Sequence, residues 1–278
     1  MTEDLKLQLS SGTLHALRSG RRKAPSVICV PGLSSNARSF DAIALALSAE
    51  GHEVVVLDLR GRGLSPAGVP GSHGWQRHAK DVLEAARMLD FASFDLVGHS
   101  MGAFVAMQAA ALAGDRIRRL VLIDGVGVPE PAAIPPILAA AQRLEAVYPS
   151  REAYCAMVES HGTAVPWDEL WKEHFLYELE DVPAGVRPRT SKAAVFEDII
   201  YASQHNARAF WPSLGMPTLL VRGARPLTAG GGFVVGAALR DEFIGAVPSA
   251  KTLEVDANHY GVMAHPDALR AIAHFLTC

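Results

Sequence analysis

The stretch Phe94-Asp-Leu-Val-Gly-His-Ser-Met-Gly102 determines which fold this chain adopts. Its first four residues form a short, mainly apolar run of the kind found in buried strands, and Gly98 ends that run. The residues that follow, Ala103 to Leu112, are typical of a helix. The sequence therefore predicts a strand, a sharp turn that carries Ser100, and a helix.

The Gly-x-Ser-x-Gly motif has meaning here because of its position. A chain with 24 glycines would contain one by chance in roughly a tenth of cases, so the motif alone is weak evidence. Between a strand and a helix, however, such a Ser sits on a strained turn with its hydroxyl exposed. We therefore predict Ser100 as a nucleophile. The alternative is an ordinary turn in which Ser100 caps the helix.

Composition and charge exclude several classes of protein. The 278 residues are 49% hydrophobic and 20% charged, which is ordinary for a globular chain with a large core. The net charge of −3 provides no attraction to nucleic acid or to an anionic membrane. The eleven His residues are dispersed, and the three cysteines are too few and too widely spaced for a disulfide framework. We expect neither a metal site nor a cofactor.

The expected setting is the cytoplasm, and the expected partner is a small-molecule substrate. The polar N-terminus lacks the apolar run of a signal peptide. The most apolar stretch, Met101–Gly114, is too short to span a bilayer. The sequence leaves the oligomeric state open, and both a monomer and a homodimer are compatible with it.

Apolar runs alternate with helical stretches along most of the chain. Unbroken apolar strands are typical of a parallel sheet that is covered on both faces, so the sequence predicts an α/β fold with helices on both sides of a mostly parallel sheet. The predicted strands are Leu5–Leu9, Thr13–Leu17, Ser26–Val30, Glu53–Leu57, Phe94–Val97, Arg119–Ile123, Thr218–Val221 and Lys251–Val255. The helices predicted between and after them include Ala37–Glu50, His78–Leu89, Ala103–Leu112 and Pro266–Leu276.

The alternation of strand and helix stops after about residue 126. The chain to about residue 211 reads as helices with no convincing buried strand: Ala139–Val147, Arg151–Ser160, Trp167–Leu179 and Ser191–Ser203. We therefore expect a core formed by residues 1–126 and 212–278, with a helical cap inserted at 127–211. A long insertion above the ends of parallel strands usually has a functional role.

Four segments together resemble the α/β-hydrolase fold family, especially its capped members with esterase, lactonase and carbon–carbon hydrolase activities. They are Val30–Ser35, Asp58–Ser65, Gly98–Gly102 and Asn258–Tyr260. Their order and spacing cover nearly the whole chain and are specific to the fold, but not to a substrate. The resemblance implies a serine hydrolase with a catalytic triad.

The resemblance places the catalytic base on the loop after the last strand, where His259 follows Lys251–Val255. This His would take the Ser100 proton and later protonate the leaving group. His265 begins the final helix and is a weaker candidate. His99 is expected to pack beneath the nucleophile turn.

The triad acid is where this sequence departs from the family pattern. Most members carry it after the strand that follows the cap, but the loop Arg222–Gly232 contains no carboxylate and has Arg225 near the usual position. Some members carry the acid one strand earlier, which here is Asp124. We favour Asp124 over a purely structural role for that residue and over a Ser–His dyad. Rival acids are Asp241, Glu242 and Asp256.

The oxyanion hole is expected from two backbone amides, the N–H of Met101 and the N–H of Leu33. Ser34 or Ser35 is expected to cap the next helix, with a hydroxyl near the pocket as the alternative. Asp58 and Arg60 are expected to brace backbone.

The cap aromatics Trp167, Trp171, Phe175, Tyr177 and Tyr154, together with Met157, are expected mainly in the cap core, with some lining the pocket. His161 and Arg187–Arg189 are expected in solvent, and Gly230–Gly232 in a flexible loop near the site. The substrate is expected to be largely apolar.

Three functions fit this reading. The first is hydrolysis of an ester or lactone through an acyl-enzyme on Ser100, with carbon–carbon bond hydrolysis as a close variant. The second is a cofactor-independent dioxygenase of the same fold, which uses His259 and Asp124 as base and acid. The third is a binding protein that reuses the fold.

Overall fold

The computed structural model describes residues 2–162 and 164–278, whose elements alternate as the sequence predicts. In chain order they are β1 (Glu3–Leu9), β2 (Gly12–Ser19), β3 (Ser26–Val30), α1 (Asp41–Ala49), β4 (Glu53–Leu57), α2 (Trp75–Met88), β5 (Phe94–His99), α3 (Met101–Ala113), β6 (Ile117–Ile123), α4 (Ile134–Gln142), α5 (Arg151–Ser160), α6 (Glu169–Tyr177), β7 (Leu179–Val182), β8 (Gly185–Pro188), α7 (Lys192–Gln204), β9 (Thr218–Gly223), α8 (Ala237–Ala246), β10 (Ala250–Val255) and α9 (Pro266–Thr277).

A mostly parallel sheet forms the centre, with strand order β1-β2-β4-β3-β5-β6-β9-β10. The β1–β2 and β2–β4 pairs are antiparallel, and the remaining pairs are parallel. Strands β3 and β4 are buried at every residue because both faces of the sheet are covered. Val27 and Cys29 belong to one core, whereas Ile28 and Val30 belong to the core on the other face. The predicted fold class is confirmed.

This topology brings the ends of distant strands to one edge of the sheet. Ser100 follows β5, Asp124 follows the neighbouring β6, and His259 lies on the loop after β10. Ligands of open α/β sheets bind at the carboxyl ends of the strands, so this edge is where a site is expected.

The segment between β6 and β9 differs from its prediction in three places. It contains a two-stranded hairpin, β7–β8, which was missed because four-residue strands are too short to show an alternating pattern. The first helix is α4 at 134–142 instead of 139–147. Pro135 and Pro136 lie in its first turn, and proline is tolerated there because the N–H groups of the first turn have no acceptor within the helix. Helix α6 begins at Glu169, since the Asp168 side chain accepts a hydrogen bond from Trp171 N at 3.2 Å and caps it.

The end of the inserted segment is marked by a short 3-10 helix, Ala207–Ser213. Its residues Ala207 and Trp211 belong to the core beneath α3, and the Trp211 indole donates to Val126 O at 3.0 Å. We therefore propose that the insertion ends before this element and not at residue 211. In the ranges that the structure describes, none of the helices combines the length and apolarity needed to cross a membrane.

The turn between β5 and α3 depends on glycine because backbone atoms leave no room for a side chain. A Cβ on Gly102 would lie 2.0 Å from Val30 O and 2.6 Å from Pro31 O. A Cβ on Gly98 would lie 2.3 Å from Gly102 O. The start of α3 can therefore contact the loop after β3 only if both residues lack a side chain.

We predict that Gly102→Ala lowers the free energy of unfolding by about 3 kcal/mol or more, because backbone atoms cannot move aside as a flexible side chain can. Gly114→Ala at the other end of α3 is the matched control: its Cβ would make an ordinary 3.4 Å contact with Met216, and its φ of −62° suits alanine. This control should change the free energy of unfolding by less than about 1 kcal/mol. Urea denaturation measures both, and equal losses would contradict the steric argument.

Candidate active site

Ser100 occupies a strained turn between β5 and α3. Its φ of 56° and ψ of −122° place a non-glycine residue in the left-handed half of backbone space, as the strand–turn–helix motif requires. Ser100 N donates to Ile123 O at 2.9 Å, which fixes the turn to the end of β6. The side chain is partly exposed and lines a cavity.

His259 and Asp124 form a buried hydrogen-bonded pair beside this turn. His259 Nδ1 lies 2.7 Å from Asp124 Oδ2, and both side chains are less than a tenth exposed. Asp124 Oδ1 accepts a long hydrogen bond of 3.4 Å from Gly223 N. When the Nδ1–H group donates a hydrogen bond to the carboxylate, Nε2 is unprotonated and carries the lone pair that a general base needs.

The path of the chain after β10 explains how His259 reaches Asp124 across β9. A Cβ on Gly223 would lie 2.5 Å from Ala257 O, so the glycine lets the 255–258 backbone cross the end of β9. Arg225 N donates to Ala257 O at 3.0 Å and secures the crossing. The arginine side chain points outward and pairs with exposed Asp256 at 2.6 Å.

The rival acids lie on the surface and pair with arginines. Asp256 pairs with Arg225, Asp241 with Arg240, and Glu242 with Arg208. None of these contacts involves His259. The structure therefore brings Asp124, and not its rivals, to the histidine. His265 caps α9 through its contact with Asp267 N.

His99 supports the base from beneath the turn, as expected. It is buried, its ring centroid lies 4.5 Å from that of His259, and its Nε2 lies 3.1 Å from His259 O. Burial, reinforced by the neighbouring His259, holds the pKa of His99 well below its usual value. The ring is therefore neutral at neutral pH, and its Nε2 proton is donated to the His259 carbonyl.

Met101 and Leu33, whose backbone amides are the expected oxyanion donors, line the same cavity as Ser100. Met101 is the first residue of α3, where the N–H has no partner within the helix. Leu33 follows Gly32 in a turn closed by a hydrogen bond of 3.2 Å from Ser35 N to Gly32 O. The expectation that Ser34 or Ser35 caps the next helix is wrong, because Asn36 accepts the hydrogen bond from Arg38 N. Both serines line the cavity instead.

The cavity over these groups has a volume of about 290 Å³ and largely apolar walls. The lining, all within the described ranges, contains neither lysine nor arginine. Its rim includes exposed Val128, Ile134 and Leu138. The residues that line it are Gly32, Leu33, Ser34, Ser35, Trp75, His99, Ser100, Met101, Phe104, Val128, Pro129, Ile134, Pro136, Ile137, Leu138, Ala140, Trp171, Asp198, Ile199, Ala202, Ser203, Leu227, Val234, His259 and Tyr260.

Of the cap aromatics singled out in the sequence, Trp171 lines this cavity. Trp167 stacks on Phe175, which belongs to the core on one face of the central sheet and not to a separate cap core, and Tyr177 donates to Asp58 at 2.9 Å. Sequence reasoning missed Trp75 and Asp198 as lining residues. A carboxylate on the apolar face of helix α7 was the available signal for Asp198.

Other polar residues considered in the sequence lie outside the cavity. His161, Arg187 and Arg189 are exposed, as expected. Asp58 accepts hydrogen bonds from the backbone N–H groups of Ala37 and Leu64 and so braces the core, as expected.

Comparisons with known proteins agree with this architecture. A sequence profile described as "alpha/beta hydrolase fold" matches residues 25–266. The N-formylmaleamate deformylase of Pseudomonas putida is 42% identical over 112 residues, which are 40% of this chain and 40% of that protein. The match to this relative thus spans about two fifths of its length.

A second relative matches over almost the full chain. The 2-(acetamidomethylene)succinate hydrolase of Mesorhizobium japonicum is 26% identical over 255 residues, or 91% of this chain and 88% of that protein. A solved structure of E-2-(acetamidomethylene)succinate hydrolase superposes with a TM-score of 0.89 at 24% identity, covers 100% of both chains, and shows the shared fold. The chain therefore belongs to the alpha/beta hydrolase fold family.

Proposed function

We propose that this protein is a serine hydrolase that cleaves a carboxylic ester or lactone of a small, largely apolar molecule. The observation that carries the proposal is the 2.7 Å contact between His259 and Asp124 beside a Ser on a strained turn. A nucleophile, a base oriented by an acid, and two backbone amides at one cavity are the parts that acyl transfer requires.

The proposed reaction proceeds in two steps. His259 Nε2 takes the proton of Ser100 Oγ, which attacks the carbonyl carbon, and the resulting oxyanion is stabilised by the N–H groups of Leu33 and Met101. The intermediate expels the alcohol, which leaves with the proton from His259. Water then gives a proton to His259 and attacks the acyl carbon, and the second intermediate expels Ser100 Oγ, which takes that proton from His259 as the carboxylic acid is released. Asp124 keeps His259 in the required tautomer and stabilises its charged form.

The cavity walls support an uncharged substrate. The names of both relatives describe anions, a maleamate and a succinate. Here the lining has no lysine or arginine to pair with an anion, and its one carboxylate, Asp198, is itself paired with buried Arg62. An ester also has no N–H that apolar walls would leave without a partner, whereas an amide has one. These arguments favour neutral esters and lactones over the amide-like bonds in the names of the relatives.

Ser100→Ala should lower turnover of a neutral aryl ester by about 10⁴-fold or more, because it removes the nucleophile. A fluorophosphonate probe should label the wild-type protein and leave the variant unlabelled. The wild type and the variant are then assayed for oxygen uptake with heteroaromatic substrates. Uptake that persists in Ser100→Ala would favour the dioxygenase, and an unlabelled wild type would count against a covalent nucleophile. Diketones in the same substrate screen test carbon–carbon bond hydrolysis.

Asp124→Asn should lower kcat for the same ester by about 10²–10⁴-fold, because an amide cannot hold His259 in the tautomer that frees Nε2. Asp256→Asn is the matched control, since Asp256 is a rival acid that pairs only with exposed Arg225. The control should keep wild-type kcat. A near-wild-type rate in Asp124→Asn would move the acid to another residue.

Charge selectivity is expected from the apolar lining. We predict that an ester whose acyl chain ends in a carboxylate has a kcat/KM about 10²-fold lower than its neutral methyl-terminated counterpart, because the anion would be desolvated without a partner. Matched pairs of straight-chain p-nitrophenyl esters measure this directly. Equal kcat/KM values for both members of a pair would refute the substrate class proposed here.

A further inference from the structure

A buried arginine, Arg62, binds the backbone carbonyl of Leu33. Arg62 Nε donates to Leu33 O at 2.9 Å, and its Nη1 donates to Arg60 O at 2.7 Å. The Arg62 side chain is fully buried. Because a guanidinium is a planar, rigid fork, these two bonds fix the Leu33 carbonyl relative to the turn that carries Arg62.

The direction of the Leu33 N–H follows from two fixed peptide planes. The Leu33 N–H shares a plane with the Gly32 carbonyl and points the opposite way. Ser35 N holds that carbonyl at 3.2 Å, while Arg62 holds the next carbonyl, that of Leu33. Both peptides that flank the Leu33 Cα are therefore restrained, and so is the amide proposed to stabilise the oxyanion.

The third nitrogen of Arg62 connects this support to helix α7. Arg62 Nη2 lies 2.5 Å from Asp198 Oδ2, and both side chains are fully buried. Asp198 Oδ1 accepts from Gly74 N at 2.6 Å, and His78 Nε2 lies 3.1 Å from both carboxylate oxygens. Burial alone would raise the pKa of Asp198, but the contacts with His78 and Arg62 outweigh it and lower the pKa, so the carboxylate is charged.

Helix α7 is bound to the core at an adjacent carboxylate as well. Glu197 accepts from Gly71 N at 2.9 Å and lies 2.9 Å from His73 Nδ1. Two consecutive acids thus join α7, an element of the inserted segment, to the loop before α2. Asp198 of α7 binds Arg62, and Arg62 binds the Leu33 carbonyl, so the placement of α7 affects the placement of this carbonyl.

We propose that Arg62 and Asp198 are positioning residues for the oxyanion hole. Arg62 holds the Leu33–Ser34 peptide, which adjoins the Gly32–Leu33 peptide that carries the donor N–H, and Asp198 links this support to helix α7 of the inserted segment. The inference rests on the proposed function, because only a developing oxyanion makes the direction of the Leu33 N–H matter. Misplacing a catalytic group by about 1 Å can cost about 10²-fold in rate, so the support is expected to be visible in kcat.

The same turn supplies a matched control. Arg60 pairs with Asp81 at 2.7 Å, and both side chains are at most 5% exposed. This second ion pair joins the turn to α2, and its side chains make no hydrogen bond to the Leu33 peptide. Removing the charge of Asp81 tests the effect of breaking a buried ion pair in this turn while leaving the contacts of the Leu33 peptide in place.

The experiment compares Arg62→Lys, Asp198→Asn and Asp81→Asn with the wild type on a neutral aryl ester. Arg62→Lys keeps the charge but loses the fork, and Asp198→Asn keeps the side-chain volume. We expect both to lower kcat by about 10- to 100-fold while KM stays within about threefold. The Ki of a neutral arylboronic acid should rise by the same factor, because its tetrahedral adduct places an oxygen in the oxyanion hole. Asp81→Asn should be destabilised in urea but keep wild-type kcat and Ki.

The outcomes separate this inference from the proposed function. A wild-type protein without Ser100-dependent ester turnover would refute the proposed function. If the wild type is active, and kcat in Arg62→Lys and Asp198→Asn falls no further than in Asp81→Asn, the positioning role is wrong. Should Arg62→Lys fail to fold, the near-isosteric Asp198→Asn provides the same comparison.

Discussion

Direct backbone contact between the first turn of α3 and the loop after β3 is the constraint on which the site depends. Both proposed oxyanion donors come from these two segments, so they converge only if the segments touch. Val30 O would lie 2.0 Å from any Cβ at Gly102, which shows how little space separates them. The left-handed conformation of Ser100 is the consequence, because no relaxed turn leads from β5 into a helix placed this close.

The path of the loop after β10 determines which strand carries the triad acid. With the 255–258 backbone lying across the end of β9, the first residues after this strand are engaged in backbone hydrogen bonds, and Arg225 is directed to the surface. His259 is thereby placed above β6, where Asp124 is available. The missing carboxylate after β9 and the presence of one after β6 are therefore two aspects of the same chain path.

The sequence was a good guide to the core and a poor one to the inserted segment, for physical reasons. Buried parallel strands are continuous apolar runs, so β3 and β4 were predicted to the residue. Ser100, His259 and Asp124 follow from their places after particular strands. The hairpin β7–β8 has no comparable signal, because its strands are short. The cavity lining from α7 depends on how that helix docks, which a single sequence does not specify.

The inserted segment thus takes part in the site in two ways. Residues of α4 and α7 form apolar walls, and these walls favour an uncharged substrate. One of the wall residues, Asp198, also pairs with the arginine that holds the Leu33 peptide. A buried ion pair adds little net stability compared with apolar packing, so its presence in an apolar wall calls for another reason. Orientation of the adjacent peptide is such a reason, because a charge-assisted fork restrains direction in a way that apolar contact cannot.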